Sequence, residues 1–414
     1  MSSARAEPAD EALAAQVRLA DVVALAVARS PSLSELRQKQ AASLADSRAA
    51  THMPEPQFKY EQWSVPLRKP WALNQAGALM VGLQQVIPPA GTLSARADAQ
   101  TAQVEVLRHN ESMKRLEVAA QAERAFAAYY QGFHQLALHN EHSELVAKLL
   151  ELARVAYQSG VRSQQDVVRL GLEISRVHET LVHMNPELES SRALLNTLMA
   201  RPVDAPLGPP AEIDVQALRK DVVIGADPAL GRPDVRMAEA QVKGSQAMVA
   251  EAHHNANRPM VMVGLDYMYM PQDMYQHTYG GMVAFGLPWL NPGRKEEAKA
   301  AQHRLNADKD ALRAAALAAR FEVRDAQLRL QSARASYDVL NNDVVLQAQR
   351  NLDTARSMYA AGQSDASALL DAARLYLEVR IDRVRSLAHL QEAMADLNRA
   401  LASTTQAHAG ETHR

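Results

Sequence analysis

The chain is internally duplicated, and this feature constrains its fold more than any other. The segment ARVAYQSG at 153–160 reappears as ARSMYAAG at 355–362, 202 positions later. The same spacing relates four further pairs: Gly91 and Gly293, Leu195 and Leu397, Asn196 and Asn398, and Ala200 and Ala402. Because one register holds along most of each half, the sequence predicts two homologous halves of about 200 residues.

The duplication also sets the predicted domain organisation. We expect a first structural repeat at 1–207, a linker at 208–231 and a second structural repeat at 232–414. The linker and its flanks are rich in proline and glycine, which interrupt regular structure. Each repeat has the same predicted order: a helix, two strands (about 56–89 and 258–291) and a long helix pair (92–200 and 294–403).

The first helix of each predicted pair is unusually long. Residues 92–157 contain no proline and a single glycine, Gly132. A helix of that length would extend on the order of 100 Å. Helices this long pack as coiled coils, form solenoids or span a distance, so the sequence predicts a mostly helical protein with long coiled-coil helices.

Composition excludes several classes of protein. The 45 Lys and Arg against 47 Asp and Glu give a net charge of −2, which offers no electrostatic basis for binding nucleic acid. The chain has no cysteine, so disulfides and thiolate metal sites are absent. No apolar run is long enough for a transmembrane helix, and no signal peptide is visible at the N-terminus.

The two strand windows differ from the rest of the chain. They hold all three Trp and few charged residues, whereas aromatic residues make up only 5% of the sequence. Within 260–270, Val, Leu and Tyr occupy alternate positions, and Asp266 lies on the opposite parity with several Met. Alternation in strands of about ten residues with aromatic ends is typical of outer-membrane β-barrels, although a β-sandwich packed on helices is the alternative.

Four strands cannot close a barrel alone, because small closed barrels need about eight. Open strand edges are not tolerated in lipid. If the strands cross a membrane, several copies of the chain must therefore contribute to one barrel.

Together these features resemble the TolC family of outer-membrane efflux channels, and the likeness covers nearly the whole chain. It rests on the duplication, two strands per repeat, the GLPWLNPGR passage at 286–294 and the Tyr-x-x-Gly turns. The heavy-metal efflux branch, typified by CusC and CzcC, is the most similar. The resemblance implies a homotrimer with a 12-stranded outer-membrane β-barrel, four strands per protomer, and a long periplasmic α-barrel closed at a helical tip.

The resemblance also implies a gate just after the Tyr-x-x-Gly turns. By position, Asp166 and Asp371 match acidic tip residues, and Tyr359 matches a tyrosine that hydrogen-bonds across the closed coils. Ser364 stands where some family members have arginine, which predicts a weaker or differently built latch. Rings of Asp in a narrow pore favour cations; the alternative is that both acids are solvated residues stabilised by the helix dipole.

Methionine is concentrated in the strand windows. Thioethers are soft ligands that suit Cu(I) or Ag(I), so Met260, Met262, Met268, Met270 and neighbouring His277 are candidates for transient contact with a metal substrate. The alternative is that these methionines fill packing gaps. Further methionine and histidine candidates lie nearby and in the C-terminal tail: Met80, Met274, Met282, His408 and His413.

No enzyme signature is present. His178 and His183 are five residues apart, one too many for a zincin motif, and the phosphate-loop, hydrolase-elbow and dinucleotide motifs are missing. We expect neither catalysis nor a cofactor. The leading hypothesis is a passive outer-membrane exit duct that extends into the periplasm and exports heavy-metal cations such as copper or silver. Its expected partners are a periplasmic adaptor, an inner-membrane RND-type pump and outer-membrane lipid.

Two alternatives remain open at this point. One is a duct for drug efflux or type I secretion. The other, from a different class, is a soluble elongated coiled-coil scaffold, which would not need charge-poor strands with aromatic ends.

Overall fold

The computed structural model describes residues 8–402 except 66–67, 69, 72, 223–224, 226, 272 and 274–276. Most of this chain is helical, as the sequence predicts, with one small sheet. The first half contains α1 (Pro8–Ala15), α2 (Leu19–Arg29), α3 (Pro31–Ala49), β1 (Gln57–Trp63), β2 (Ala78–Ile87), α4 (Thr92–Gln158) and α5 (Gln164–Leu198). The remainder contains α6 (Val215–Arg219), α7 (Pro233–Asn257), β3 (Val261–Tyr269), β4 (His277–Phe285), α8 (Pro292–Val339), α9 (Val345–Ala360) and α10 (Ala366–Ala400).

The four strands form one antiparallel sheet in the order β1-β2-β3-β4. Each half contributes one hairpin, and β2 pairs with β3 where the halves meet. Strands β1 and β4 are consequently the two edges of the sheet within one protomer.

The chain divides into two compact units, and each unit takes segments from both sequence halves. The first unit comprises 1–34, 112–232 and 318–414; the second comprises 35–111 and 233–317 and includes the sheet. This is a division in space, whereas the predicted repeats are a division along the sequence. The repeats therefore stay a prediction about internal homology.

The core of the first unit lies among its helices in two clusters. One is built around Phe126, Tyr129 and Leu390, each 2% exposed or less. Tyr129 Oη donates a hydrogen bond to the Gly208 carbonyl at 2.7 Å, and Leu218 from α6 is buried in the same cluster. The connection between the halves is therefore packed against the core along part of its length.

The second core cluster lies between the two helical hairpins, α4–α5 and α9–α10. Its most buried members include Val146, Leu170, Leu369 and Ala373. Apolar residues three and four apart on each helix supply this stripe.

Backbone geometry repeats between the halves with the same spacing as the sequence. Gly160 and Gly362 have φ of 74° and 75°, and Ala200 and Ala402 have φ of 52° and 55°. Glycine is the natural residue for such a left-handed position at a helix end. Helices α5 and α10 each have 35 residues.

The halves differ along the long helix. Helix α4 is uninterrupted over 67 residues, but its counterpart contains a π-helical segment at Leu340–Val344 between α8 and α9. Nothing in the sequence of that segment predicts the interruption. Among the described helices, none combines the length and apolarity needed to cross a membrane.

Candidate functional site

One face of the sheet is apolar and exposed. In cross-strand register, Phe58, Leu83 and Leu265 form one row on this face, and they are 72%, 60% and 68% exposed. The next row contains Tyr60, Val81, Tyr267 and Tyr279, and Val283 and Phe285 continue the face along β4. A contiguous patch of large apolar side chains is unusual on a soluble surface and indicates contact with lipid or protein.

The opposite face carries an ion pair across three strands. Lys59 on β1, Gly82 on β2 and Asp266 on β3 are aligned in register. Lys59 Nζ lies 3.2 Å from Asp266 Oδ1, so the lysine reaches across Gly82. A Cβ at position 82 would lie 2.0 Å from Asp266 Oδ1. The absence of a side chain at Gly82 is what permits the pair.

The sheet separates the predicted metal candidates. Met262 and Met268 lie on the ion-pair face, and Met80 and Met282 lie on the same face. His277 pairs with Tyr269 and shares a hydrogen bond with Tyr267 Oη. Its ring stacks on Tyr267 and lies tilted against Tyr269, which puts it on the apolar face. The structure therefore does not bring His277 together with Met262 and Met268.

Of the remaining candidates, Met260 and Met270 flank β3 rather than lie within it. Met274, His408 and His413 lie outside the described residues. Groups of three or more His, Asp or Glu side chains arranged to hold a metal are not found among the residues that the structure describes.

The second candidate region is the tip formed by the turns of the two hairpins. Arg162, in the turn after α4, extends to the turn after α9. Its guanidinium carbon lies 4.2 Å from the centroid of the Tyr359 ring. Its two terminal nitrogens donate to the carbonyls of Tyr359 and Ser364, the second at 2.8 Å.

Tyr359 is only 9% exposed. Burial raises the pKa of its hydroxyl above the usual value of 10, while the nearby Arg162 acts in the opposite direction. The tyrosine therefore stays neutral at physiological pH, and its ring serves as a platform for the cation.

The two predicted pore acids lie in different surroundings. Asp166 is in the first turn of α5 and is 6% exposed, and its backbone N–H is 3.4 Å from the capping Ser163 Oγ. The side chain of Asp371 is 74% exposed, with Arg374 at 3.9 Å. Within one protomer the structure thus buries one acid and leaves the other in solvent.

A further ionic cluster joins the hairpins next to the tip. Glu173 on α5 is 5% exposed, and the single Nε–H of Arg374 on α10 is shared between its two carboxylate oxygens, each 3.0 Å from Nε. His142 on α4 contributes Nε2 at 3.3 Å. These hydrogen bonds, chiefly the one from Arg374, hold the pKa of the Glu173 carboxyl below its usual value.

Sequence reasoning did not identify Arg162 or the Glu173–Arg374 pair. One signal was present for Arg162: with the repeat spacing it aligns with Ser364, the position where the resemblance leads one to expect arginine. The arginine is present in the other repeat, and it contacts the backbone of its own counterpart.

Comparison with known proteins places this geometry in context. Residues 229–403 match the family model described as outer membrane efflux protein. The structure is similar to the open state of the MtrE outer membrane channel of Neisseria gonorrhoeae, with TM-score 0.79, 18% identity, and coverage of 97% of this chain and 94% of that one.

Two further solved structures are similar. CusC, described in terms of folding and transmembrane channel formation, has TM-score 0.80 and 16% identity, with 93% and 92% of the chains covered. The outer membrane protein VceC of Vibrio cholerae has TM-score 0.75 and 17% identity, with 93% and 96% covered. No curated protein sequence matches the chain.

The molecule is thus a mostly helical protein with the fold of the solved outer-membrane channels. The family match covers residues 229–403, and the likeness to the solved channels, which extends over most of the chain, is one of fold.

Proposed function

We propose that the protein is the outer-membrane exit duct of a tripartite efflux system, a passive channel gated at its periplasmic helical tip. The observation that carries the proposal is the sheet, with its exposed apolar face on one side and Lys59 and Asp266 on the other. An apolar face toward lipid and a polar face toward a lumen define the wall of an outer-membrane channel.

The sheet edges support a homotrimer. Strands β1 and β4 each leave one edge unpaired within the protomer. Unpaired edges cannot face lipid, so the β4 edge of one copy would pair with the β1 edge of the next. Three copies would supply twelve strands, enough to close a barrel with an open lumen.

The long helices support the remaining partners. Helix α4 would extend about 100 Å at 1.5 Å per residue, which suits a periplasmic conduit. At the tip the duct would bind a periplasmic adaptor and receive substrate from an inner-membrane RND-type pump. The two structural repeats at 1–207 and 232–414, joined by the linker at 208–231, would each supply one hairpin to the tip.

For the gate we propose Arg162 as the central residue, with Tyr359 and Ser364 as its partners. Three contacts from one guanidinium join the two hairpin turns. Asp371, exposed in the protomer, would face the pore, and Asp166 would act from the buried side near Tyr359.

For the substrate we propose soft heavy-metal cations such as copper or silver. The support is the set of methionines on the same face as Lys59 and Asp266. A drug-efflux duct is the alternative. CusC, VceC and MtrE share this fold, so the fold alone does not identify the exported substrate.

Reconstitution in planar lipid bilayers tests the proposal. The purified protein should require detergent for extraction from the membrane fraction, and it should give ion-conducting events after insertion. Full solubility of the processed protein without detergent would exclude the channel. Absence of conductance both in the wild type and in a variant with the tip contacts removed, Arg162→Ala, would exclude it as well.

A further inference from the structure

The ion-pair face of the sheet carries two methionines that are directly opposite each other on adjacent strands. Met80 on β2 is the register partner of Met268 on β3. Side chains at such positions have Cβ atoms about 4.5–5.5 Å apart. Two thioether sulfurs at the ends of flexible chains can therefore converge on one ion between them.

The same row supplies a carboxylate. Glu61 on β1 is the register partner of Met80, and Thr278 on β4 is the partner of Met268. Reading across the sheet, the row is Glu61, Met80, Met268 and Thr278. It places two soft donors between two oxygen-bearing side chains.

The net negative charge beside this row favours the binding of a cation. Lys59 Nζ lies 3.4 Å from Glu61 Oε1 and 3.2 Å from Asp266 Oδ1. One ammonium between two carboxylates leaves a net charge of −1 on the cluster. Apolar packing alone would not require methionine next to such a cluster, because leucine fills a similar volume.

Space beside Met268 is open on the side of Gly280, whereas the position at Gly82 is filled by Asp266. Gly82 and Gly280 are the two neighbours of Asp266 in the adjacent row. A Cβ at Gly280 would meet no atom within 4 Å. The surface next to Met268 is therefore accessible from the side that the duct proposal assigns to the lumen.

We propose that Met80 and Met268 form a two-sulfur site for a soft monovalent metal ion, Cu(I) or Ag(I), on the lumenal face of the sheet. The assignment of that face to the lumen rests on the proposed function; the pairing of the sulfurs does not. Thioethers select soft ions, whereas hard cations prefer oxygen ligands. The site would hold the ion transiently as it passes, because the neighbouring carboxylates are already engaged by Lys59.

The probe is silver nitrate in chloride-free buffer, since Ag(I) does not change oxidation state during the measurement. Detergent-purified full-length protein is brought to equilibrium with silver by dialysis and analysed for bound silver per protomer, and sulfur ligation is read by X-ray absorption at the silver edge. The variants are Met80→Leu, Met268→Leu and the double variant. The matched control is Met113→Leu, a half-exposed methionine on α4 outside the sheet.

The wild type and Met113→Leu should bind one silver ion per protomer with sulfur ligands, and each sheet variant should bind at least about 10-fold more weakly. Equal binding by the double variant would overturn the site, and so would equal weakening by Met113→Leu. Bilayer conductance measured on the same preparations separates the two proposals. Conductance without sulfur-ligated silver rejects only the site, whereas sulfur-ligated silver without any conductance rejects only the duct.

Discussion

The two hairpin turns at the tip have the same backbone and different chemistry. Gly160 and Gly362 end their helices at nearly the same φ, and the following helices are capped at equivalent positions by Ser163 and Asp365. Their side chains diverge, however. Tyr157 is 45% exposed, whereas its counterpart Tyr359 is 9% exposed.

The difference is largest at the position that joins the turns. Arg162 in the first turn aligns with Ser364 in the second, and the arginine donates a hydrogen bond to the serine carbonyl. One repeat therefore supplies the donor and the other supplies the acceptor and the aromatic ring. The two turns thus share a backbone conformation, while their side chains are complementary.

The largest expected difference in stability is between alanine substitutions of the two equivalent tyrosines. Tyr359→Ala removes a buried ring and should lower the free energy of unfolding by about 3 kcal/mol. Tyr157→Ala, at the equivalent exposed position, should change it by less than about 0.5 kcal/mol. Thermal unfolding in detergent followed by circular dichroism measures both. Equal losses would mean that the two turns are not chemically distinct.

The next effect concerns closure of the tip. Arg162→Ala removes two hydrogen bonds from a charged donor and one cation–π contact, which together should weaken the link between the hairpins by about 2 kcal/mol. A closed–open equilibrium that depends on this link would shift about 30-fold toward open. Open probability in planar bilayers is the measurement.

Arg154→Ala is the matched control, because Arg154 pairs only locally with Glu151 at 2.7 Å on its own helix. It should leave open probability unchanged. A comparable increase in this control would assign the effect to lost positive charge and not to the Arg162 contacts.

The Glu173–Arg374 pair between the hairpins should make the free energy of unfolding decrease at acid pH. Hydrogen bonds from Arg374 lower the pKa of Glu173 in the folded protein, against the opposing effect of burial. Its stabilising contribution is therefore present above about pH 4.5, the usual value for Glu, and is lost as the pH falls through the lowered folded value.

Glu173→Gln tests this dependence. The variant should unfold more easily at neutral pH by about 1.5 kcal/mol, the scale of a hydrogen bond to a charged group. Below pH 4.5 its stability should decline less than that of the wild type. The control Leu375→Gln changes the equivalent exposed position of the second repeat, and parallel pH profiles for wild type and Glu173→Gln would refute the assignment.

The smallest effect should be the same in both turns. Gly160→Ala and Gly362→Ala each force a side chain into the left-handed region, although a Cβ would meet no atom within 4 Å at either position. Each should cost about 1 kcal/mol. Thermal unfolding measures both variants. If the two losses of stability were unequal, the backbones of the two turns would differ as well as their side chains.

Local signals explain what the sequence predicted. The turn glycines, the caps and the alternation in β2–β4 act within a few residues, so helix ends and strand faces could be inferred from the chain alone. Even the placement of His277 was available: it has the same parity as Tyr279, and therefore the apolar face. Grouping it with Met262 and Met268 ignored that parity.

Contacts between distant segments explain what the sequence did not predict. Arg162 meets Tyr359 and Ser364 across about two hundred residues of chain, and Glu173 meets Arg374 across a similar separation. Charged residues in turns and on long helices usually lie in solvent, so nothing local distinguishes these from their neighbours. Only the packing of one hairpin against the other selects them.

The equal length of α5 and α10 limits how such a protein can change. Each helix has 35 residues between a capped start and a left-handed end. Inserting one residue into either would lengthen it by about 1.5 Å and rotate everything beyond it by about 100°. Arg162 and Tyr359 would then no longer meet, so natural variation in length should occur in both hairpins together.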